Sequence, residues 1–326
     1  MKTICYYGHD WAGNIGNAFI DYTIKYSIRA ALGDPMYPIT EVSNLPAYLK
    51  YNFAKRKPFN SFKYAHTSHV DFDLRTLMTP DVVVMGAALL DVYWTKIHAQ
   101  LLDWLRDSKT KVIILGGGGG NNYSQEEIAY VKNAWKGIDV IAYIARDERA
   151  YDNFKDISDN SYLGIDNAFF LADCFTPARL NTHGRKIGVK TFDLTCEHAI
   201  QFPDDYMVIS LRHRLMDVDS IKFASHNGFK TFSIVGETDL ISDFPDDYLH
   251  IYGNSSQTHS DRVHACVATL SFGGAARYYD KSDRSWLFER VNCGDIRTNL
   301  VRLDQAYIRS EKENQIQFLR KILLSL

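Results

Sequence analysis

A short apolar run rich in β-branched residues, closed by glycine or another turn former and followed by a helical pattern, recurs along the chain. It occurs at residues 3–7, 82–85, 112–115, 140–144, 207–211 and 231–235. Such runs lack an alternating polar face, so each strand has to be covered on both sides, and intervening helices supply the cover. The fold class this predicts is α/β with parallel sheets. Helices are expected over residues 17–31, 94–106, 125–135 and 146–155. Ser124 with Glu127 forms a capping signature for the third. Ile316, Leu319, Ile322, Leu323 and Leu326 recur at helical spacing and predict a last helix over 310–326.

The pattern loosens between residues 176 and 205, around Pro177, Gly184, Gly188 and Pro203. Two domains are expected, 1–180 and 181–326, with the C-terminal helix able to pack back on the first. The length of 326 residues exceeds one ordinary core, which agrees with that division. The 37 basic and 39 acidic residues nearly cancel, which argues against a general nucleic-acid or polybasic membrane binder and leaves room for local patches. The five cysteines are scattered without paired spacing, and the apolar start is too short for an export signal. A reduced, cytoplasmic setting is therefore expected. The longest apolar run, 82–90, is about half of the ~20 residues a membrane-spanning helix needs.

Several turns could approach a ligand. The first, GHDWAGNIGN, places Asn14, Gly16 and Asn17 at the head of a helix, but has no G-x-G-x-x-G for a dinucleotide. The run of glycines at 116–120 lacks the Lys-Ser or Lys-Thr ending of a nucleotide P-loop. It permits close approach of a ligand or of another domain, with a purely structural turn as the alternative. H-E-x-x-H and G-x-S-x-G are absent, as is a regular carboxylate and histidine set for a metal. Arg212 follows an apolar strand, where open α/β sheets hold their ligands. It is equally consistent with a solvated basic loop formed with His213 and Arg214.

HSDRVHACVATLSFGG, residues 259–274, is the most informative stretch. Val263, Val267 and Leu270 predict a helix whose first turn carries Arg262 and His264, with Ser260 or Asp261 as its cap. Free N–H groups of that turn, a guanidinium fork and an imidazole would converge on one anion. A plain capped helix with Arg262 paired to a surface carboxylate would account for the same residues.

Taken in order, GNIGN, DVVVMGAALLD, VIILGGGGG, IARDERAYDNF, DNAFFLADC, VISLR and DRVHACVATLSFGGAARYYDKS resemble the polysaccharide pyruvyl transferase family. The last segment, with its arginine-x-histidine helix start and downstream lysine, is the most specific. The chain departs from the family pattern at Gly86-Ala87-Ala88, at Val263 and at Gly274-Ala275-Ala276. The resemblance implies two Rossmann-like domains facing a cleft, as in GT-B enzymes, the first on the acceptor side and the second on the donor side. It implies phosphoenolpyruvate as donor, a sugar diol of a polysaccharide or glycan as acceptor, a cyclic pyruvate ketal as product, and no cofactor. His264 and Arg262 would then be catalytic, Arg212, Arg262 and Lys281 donor-binding, and Asn14, Gly16 and Asn17 acceptor-binding. No metal is implied, and a homo-oligomer is compatible with it. The alternatives are a GT-B glycosyltransferase with a nucleotide-sugar donor and a noncatalytic carbohydrate-binding relative.

Overall fold

The computed structural model describes residues 2–8, 14–43, 77–119, 123–193, 200–213, 233–235, 239–242 and 244–326. Residues 9–13 of the first turn, 120–122 at the end of the glycine run, Cys196, Arg214, 231–232 and 236–238 lie outside the described residues. The first sheet contains β1 (Ile4–Gly8), β2 (Ile39–Ser43), β3 (Val82–Gly86), β4 (Lys111–Gly117), β5 (Val140–Ala145) and β6 (Ser161–Leu163). Its order is β2-β1-β3-β4-β5-β6, parallel throughout. The second contains β7 (Lys186–Thr191), β8 (Tyr206–Leu211), β9 (Ser233–Val235), β10 (Asp239–Ile241), β11 (Ser255–Ser260) and β12 (Ala275–Tyr278). Its order is β12-β11-β7-β8-β10-β9, with only the β10–β9 pair antiparallel.

The helices that position the site are α1 (Gly16–Leu32), α2 (Val92–Ile97), α3 (Ala99–Ser108), α4 (Gln125–Trp135), α5 (Glu148–Phe154), α6 (Pro245–Asn254), α7 (Val263–Ser271) and α8 (Gln305–Leu324). The α4 start carries the expected capping box between Ser124 and Glu127. α1 stops at Gly33, whose φ of 70° lies in the left-handed region that ends helices cheaply. The single helix expected over 94–106 is two. Asp91 caps α2 through Trp94 N–H at 2.6 Å, and the His98 ring stacks on Trp94 at 4.2 Å with Nδ1 2.9 Å from its carbonyl, breaking the helix there. Nor does the helix expected over 146–155 begin at Arg146. Asp147 caps it by accepting from Ala150 N–H at 2.8 Å, which leaves Arg146 outside the helix.

Alternation along the strands of the first sheet divides its apolar residues between two faces. Cys5, Tyr7, Val83, Met85, Val112 and Ile114 meet Leu101, Leu105 and Val131 on one side. Ile4, Tyr6, Val82, Val84, Ile113 and Leu115 meet Phe19, Ile24 and Ile28 on the other. This second cluster does not stop at the edge of the sheet. It runs on through Ile187, Val189, Tyr252, Val267 and Leu270 of the second lobe and through Leu319 and Leu323 of α8.

α8 closes against the first lobe with polar contacts as well. Gln315, fully buried, accepts from Ile165 N–H at 2.8 Å and donates to Asn167 Oδ1 at 3.2 Å, and Arg320 Nε donates to the Ala31 carbonyl at 2.8 Å. Gln315→Ala is expected to destabilise the protein by about 1–3 kcal/mol, because it strands the buried Ile165 N–H. Urea unfolding measures that loss, and a value near zero would mean the α8 anchor lies elsewhere. Among the described residues no helix is long and apolar enough to cross a membrane.

Candidate active site

Strand order decides where a ligand can lie. In the second sheet the chain runs from β7 outward to β8 and β10, then returns to the other side of β7 with β11 and β12, so a crevice opens beyond the carboxyl ends of β7 and its neighbours. Asp193 follows β7, Arg212 and His213 follow β8, and Arg262 follows β11. Topology thus gathers residues that sequence holds far apart.

Asp193 is the centre of this group. Its Oδ2 accepts from Arg262 Nε at 3.0 Å and from His213 N–H at 3.0 Å, while its own N–H donates to Asp261 Oδ1 at 3.1 Å. Ser260 Oγ accepts from Arg262 N–H at 2.8 Å and donates to the Thr191 carbonyl at 2.9 Å. Ser260 and Asp261 are therefore spent on the strand ends and do not cap the helix, which corrects the sequence expectation. Arg262 itself is the residue before the first turn of α7, and no side chain caps that turn.

Arg262 is buried, with 6 % of its surface exposed. It is held through Nε, yet its buried Nη2 has no hydrogen-bond partner among the described residues. The pairing expected with a surface carboxylate is instead a buried one with Asp193. His213 lies beside it, fully buried, with Nε2 2.6 Å from the Tyr252 hydroxyl oxygen and Phe19 of α1 edge-on at 5.9 Å. Burial first, then the charges of Arg262 and His264, push the His213 pKa well down. A neutral, packed His213 is a structural member of this group. Its carbonyl accepts from Ile15 N–H at 3.1 Å and so ties the second lobe to the head of α1.

The first lobe contributes Arg146, which follows β5, and Asp166, which follows β6. Both are buried. Arg146 Nη1 meets Asp166 Oδ2 at 3.3 Å, Nη2 donates to the Gly119 carbonyl at 3.2 Å, and Nε stands 3.7 Å from Asp147 Oδ2 without a hydrogen bond among the described residues. The glycine run explains how the guanidinium lies so low. A Cβ on Gly118 would stand 2.7 Å from Arg146 Nε, so here the close approach is made by the chain's own arginine.

His264 closes the arrangement from the second lobe. Its buried Nε2 stands 3.8 Å from Asp166 Oδ2, close enough for attraction between charges and too long for a hydrogen bond, and makes no hydrogen bond among the described residues. On the ring's other side lies Gly16, where a Cβ would come within 2.9 Å of His264 Cβ and 3.1 Å of Nδ1. Sequence reasoning set Gly16 and His264 on opposite sides of a ligand; the structure packs them directly together.

The remaining expected residues are placed as follows. Asn14 and Asn17 flank Gly16, with Asn14 Oδ1 accepting from Gly16 N–H at 3.3 Å and Asn14 Nδ2 reaching Asn17 Oδ1 at 3.4 Å. Arg212 is half-buried and its Nη1 donates to the Phe192 carbonyl, so that part of its fork is engaged. Lys281 is exposed on the segment after β12. Three residues further on, Arg284 has an exposed side chain, yet desolvation is the first cause of its lowered pKa, followed by the charge of Arg146 and, more weakly, that of Arg262. Beside it Arg149 of α5 stacks on Trp286 at 3.3 Å, a contact between the lobes.

Arg146, Asp166, Asp193 and Arg284 are the members that residue chemistry alone missed. Arg146 and Asp166 fall in segments that carried the family resemblance, and no local signal marks Asp193 or Arg284. Burial alone would raise the Asp166 pKa, but the adjacent His264 and Arg146 together with Ala168 N–H outweigh it and hold the carboxyl at about 2. A folded pKa below the unfolded value of about 3.9 gives stability that is present above pH ~4 and lost as pH falls toward ~2. Asp166→Asn is accordingly expected to remove about 2 kcal/mol of that acid-sensitive stability. Denaturant midpoints at pH 3 and pH 6 measure it, and an unchanged difference between the two would rule it out.

Among the described residues no group of three or more His, Cys, Asp or Glu is placed to hold a metal ion. Two buried guanidinium nitrogens, Arg262 Nη2 and Arg146 Nε, make no hydrogen bond among the described residues. Asp166 and Asp193 hold the two side chains through other nitrogens, and Asp147 Oδ2 lies 3.7 Å from Arg146 Nε. Such a set is suited to a small, multiply charged anion.

Comparison with known proteins agrees with the architecture. A structure of Staphylococcus aureus MnaA with UDP is 11% identical, covers 98% of this chain and 91% of its own, and superposes with a TM-score of 0.53. UDP-GlcNAc 2-epimerase from Neisseria meningitidis bound to UDP-GlcNAc is 13% identical, with coverages of 100% and 99% and a TM-score of 0.50. At these identities the likeness is one of fold, the two-lobed GT-B type. No curated protein matches the sequence. The family model described as polysaccharide pyruvyl transferase matches residues 14–279, a span that begins at Asn14 and includes every expected site residue except Lys281.

Proposed function

The chain belongs to the polysaccharide pyruvyl transferase family and is a transferase, and from that premise we propose that it moves the pyruvyl group of phosphoenolpyruvate onto two hydroxyls of a sugar or glycan. The observation that carries this reading is the pair of buried guanidinium nitrogens, Arg262 Nη2 and Arg146 Nε, that make no hydrogen bond among the described residues, on segments that follow a strand of each sheet. The donor has a carboxylate and a phosphate on adjacent atoms, and two guanidiniums rooted in different lobes match two anionic groups better than one basic loop would. Arg212 and Lys281 extend the basic side of this site. Asn14 and Asn17, beside Gly16, offer amides to sugar hydroxyls.

In this reading C3 of the donor gains a proton as one sugar hydroxyl adds at C2 and loses its own. The C2–O bond to phosphate then breaks, phosphate leaves with the electron pair, and the second hydroxyl closes the ketal as its proton passes to phosphate. Phosphoenolpyruvate and diol are consumed, ketal and inorganic phosphate are formed, and the side chains return to their starting state. His264 supplies and recovers the proton, while the fixed charges of Arg262 and Arg146 stabilise the departing phosphate.

A donor screen tests the assignment. The purified protein is incubated with phosphoenolpyruvate or with UDP-sugars and a panel of glycans, with products read by mass spectrometry and released phosphate measured in parallel. A pyruvate ketal with stoichiometric phosphate is expected. Hexose transfer from a UDP-sugar, or no product from phosphoenolpyruvate with any acceptor, would overturn it.

A further inference from the structure

We infer that Asp166 and Gly16 are positioning residues that fix which nitrogen of His264 moves the proton: Asp166 faces Nε2, and Nδ1, on the side of Gly16, is the atom that serves the substrate. This rests on the reading of His264 as the proton carrier, and it assigns a role to two residues that touch no reacting atom.

The geometry on the two sides of the ring differs in kind. Nε2 is buried and faces the carboxylate Oδ2 of Asp166 at 3.8 Å, with Arg146 Nη1 on that same oxygen at 3.3 Å. The other carboxylate oxygen is fixed by Ala168 N–H at 2.9 Å, so the group cannot turn away. A proton on Nε2 is attracted to the carboxylate, whereas a lone pair there would be repelled by it. The neutral ring therefore keeps its proton on Nε2 and leaves Nδ1 as the base. Nδ1 would stand 3.1 Å from a Cβ on Gly16, at the head of α1, where Asn14 and Asn17 flank that glycine.

Gly16 sets the position of the ring as Asp166 sets its orientation. A methyl group at residue 16 would come within 2.9 Å of the His264 β-carbon, closer than such atoms pack, and the clash is with a short stem that has no flexible end to yield. The charged and titratable groups that face this histidine are Asp166 and, behind it, Arg146 from the first lobe, with Arg262 and His213 from the second. Of these only Asp166 is a carboxylate pointed at the ring.

The test reads the tautomer directly, so it does not depend on turnover. Nitrogen-15 spectra of the imidazoles of the full-length protein are recorded above the histidine titration range, with His264→Gln identifying the signal. A neutral ring protonated at Nε2 is expected in the wild type, with that preference lost in Asp166→Asn. Gly16→Ala is expected to lower kcat by on the order of a hundredfold through misplacement of the ring, with the KM for phosphoenolpyruvate little changed. A wild-type ring protonated at Nδ1 would overturn the inference even if neither variant folds, as would an unchanged tautomer in folded Asp166→Asn or an unchanged kcat in Gly16→Ala. If no pyruvyl transfer is found at all, the proposed function fails while the tautomer still decides the role of Asp166.

Discussion

His264→Ala is expected to lower kcat for pyruvyl transfer by about 10²–10⁴-fold, the range seen when a positioned proton carrier is removed. Donor binding should largely survive, because Arg262 is anchored on Asp193 and Arg146 on Asp166, and neither anchor passes through the imidazole. Calorimetric titration with phosphoenolpyruvate, compared with single-turnover rates, separates the two effects. A variant that retains kcat within a few-fold of wild type would remove His264 from the chemistry. Equal losses of binding and rate would make it a binding residue instead.

Arg262→Ala should damage the protein twice. The loss of a fork that contacts the donor is expected to weaken donor affinity strongly, and Arg262→Lys should restore little, since an ammonium cannot keep Asp193 and also present a second N–H in the same plane. Asp193, whose side chain is 4% exposed, would also be left without its ion partner. Breaking a buried pair from one side typically costs about 3–5 kcal/mol, and the lower end is expected here because Asp193 still accepts from His213 N–H. Urea denaturation measures the stability loss. In the doubly substituted Arg262→Ala, Asp193→Asn protein part of it should return, because the uncompensated charge is gone. Wild-type donor affinity in folded Arg262→Ala would refute the proposed donor site.

The frame of this protein was readable because its strands are continuous apolar runs and its helices announce themselves by local signals. Ser124 and Glu127 act within a few residues of themselves, so no tertiary knowledge is needed to interpret them. Local reasoning erred where a side chain changed partners. His98 broke an expected helix by closing on the Trp94 carbonyl, and Ser260, a fair cap on residue type, was drawn instead to the end of β7. For the candidate site, Arg262 and His264 were legible because they share one helix start. Asp193 and Asp166 were not, since an aspartate on a loop looks the same whether it faces water or a guanidinium. Their partners lie 69 and 20 residues away, and only strand order brings those segments to one edge. Ala87, where the family pattern has a richer glycine turn, adopts φ of 63°, a conformation glycine takes more cheaply.

The apolar cluster that passes from the first sheet into the second and on to α8 bears on how the lobes come apart. Lobes joined only by a linker can swing freely and melt in separate steps. Here, parting them would wet Phe19, Tyr252, Val267 and Leu319 together, so heating should yield one calorimetric peak whose van't Hoff and measured enthalpies agree. The same shared interior confines any closing motion during turnover to small sliding at the mouth of the cleft.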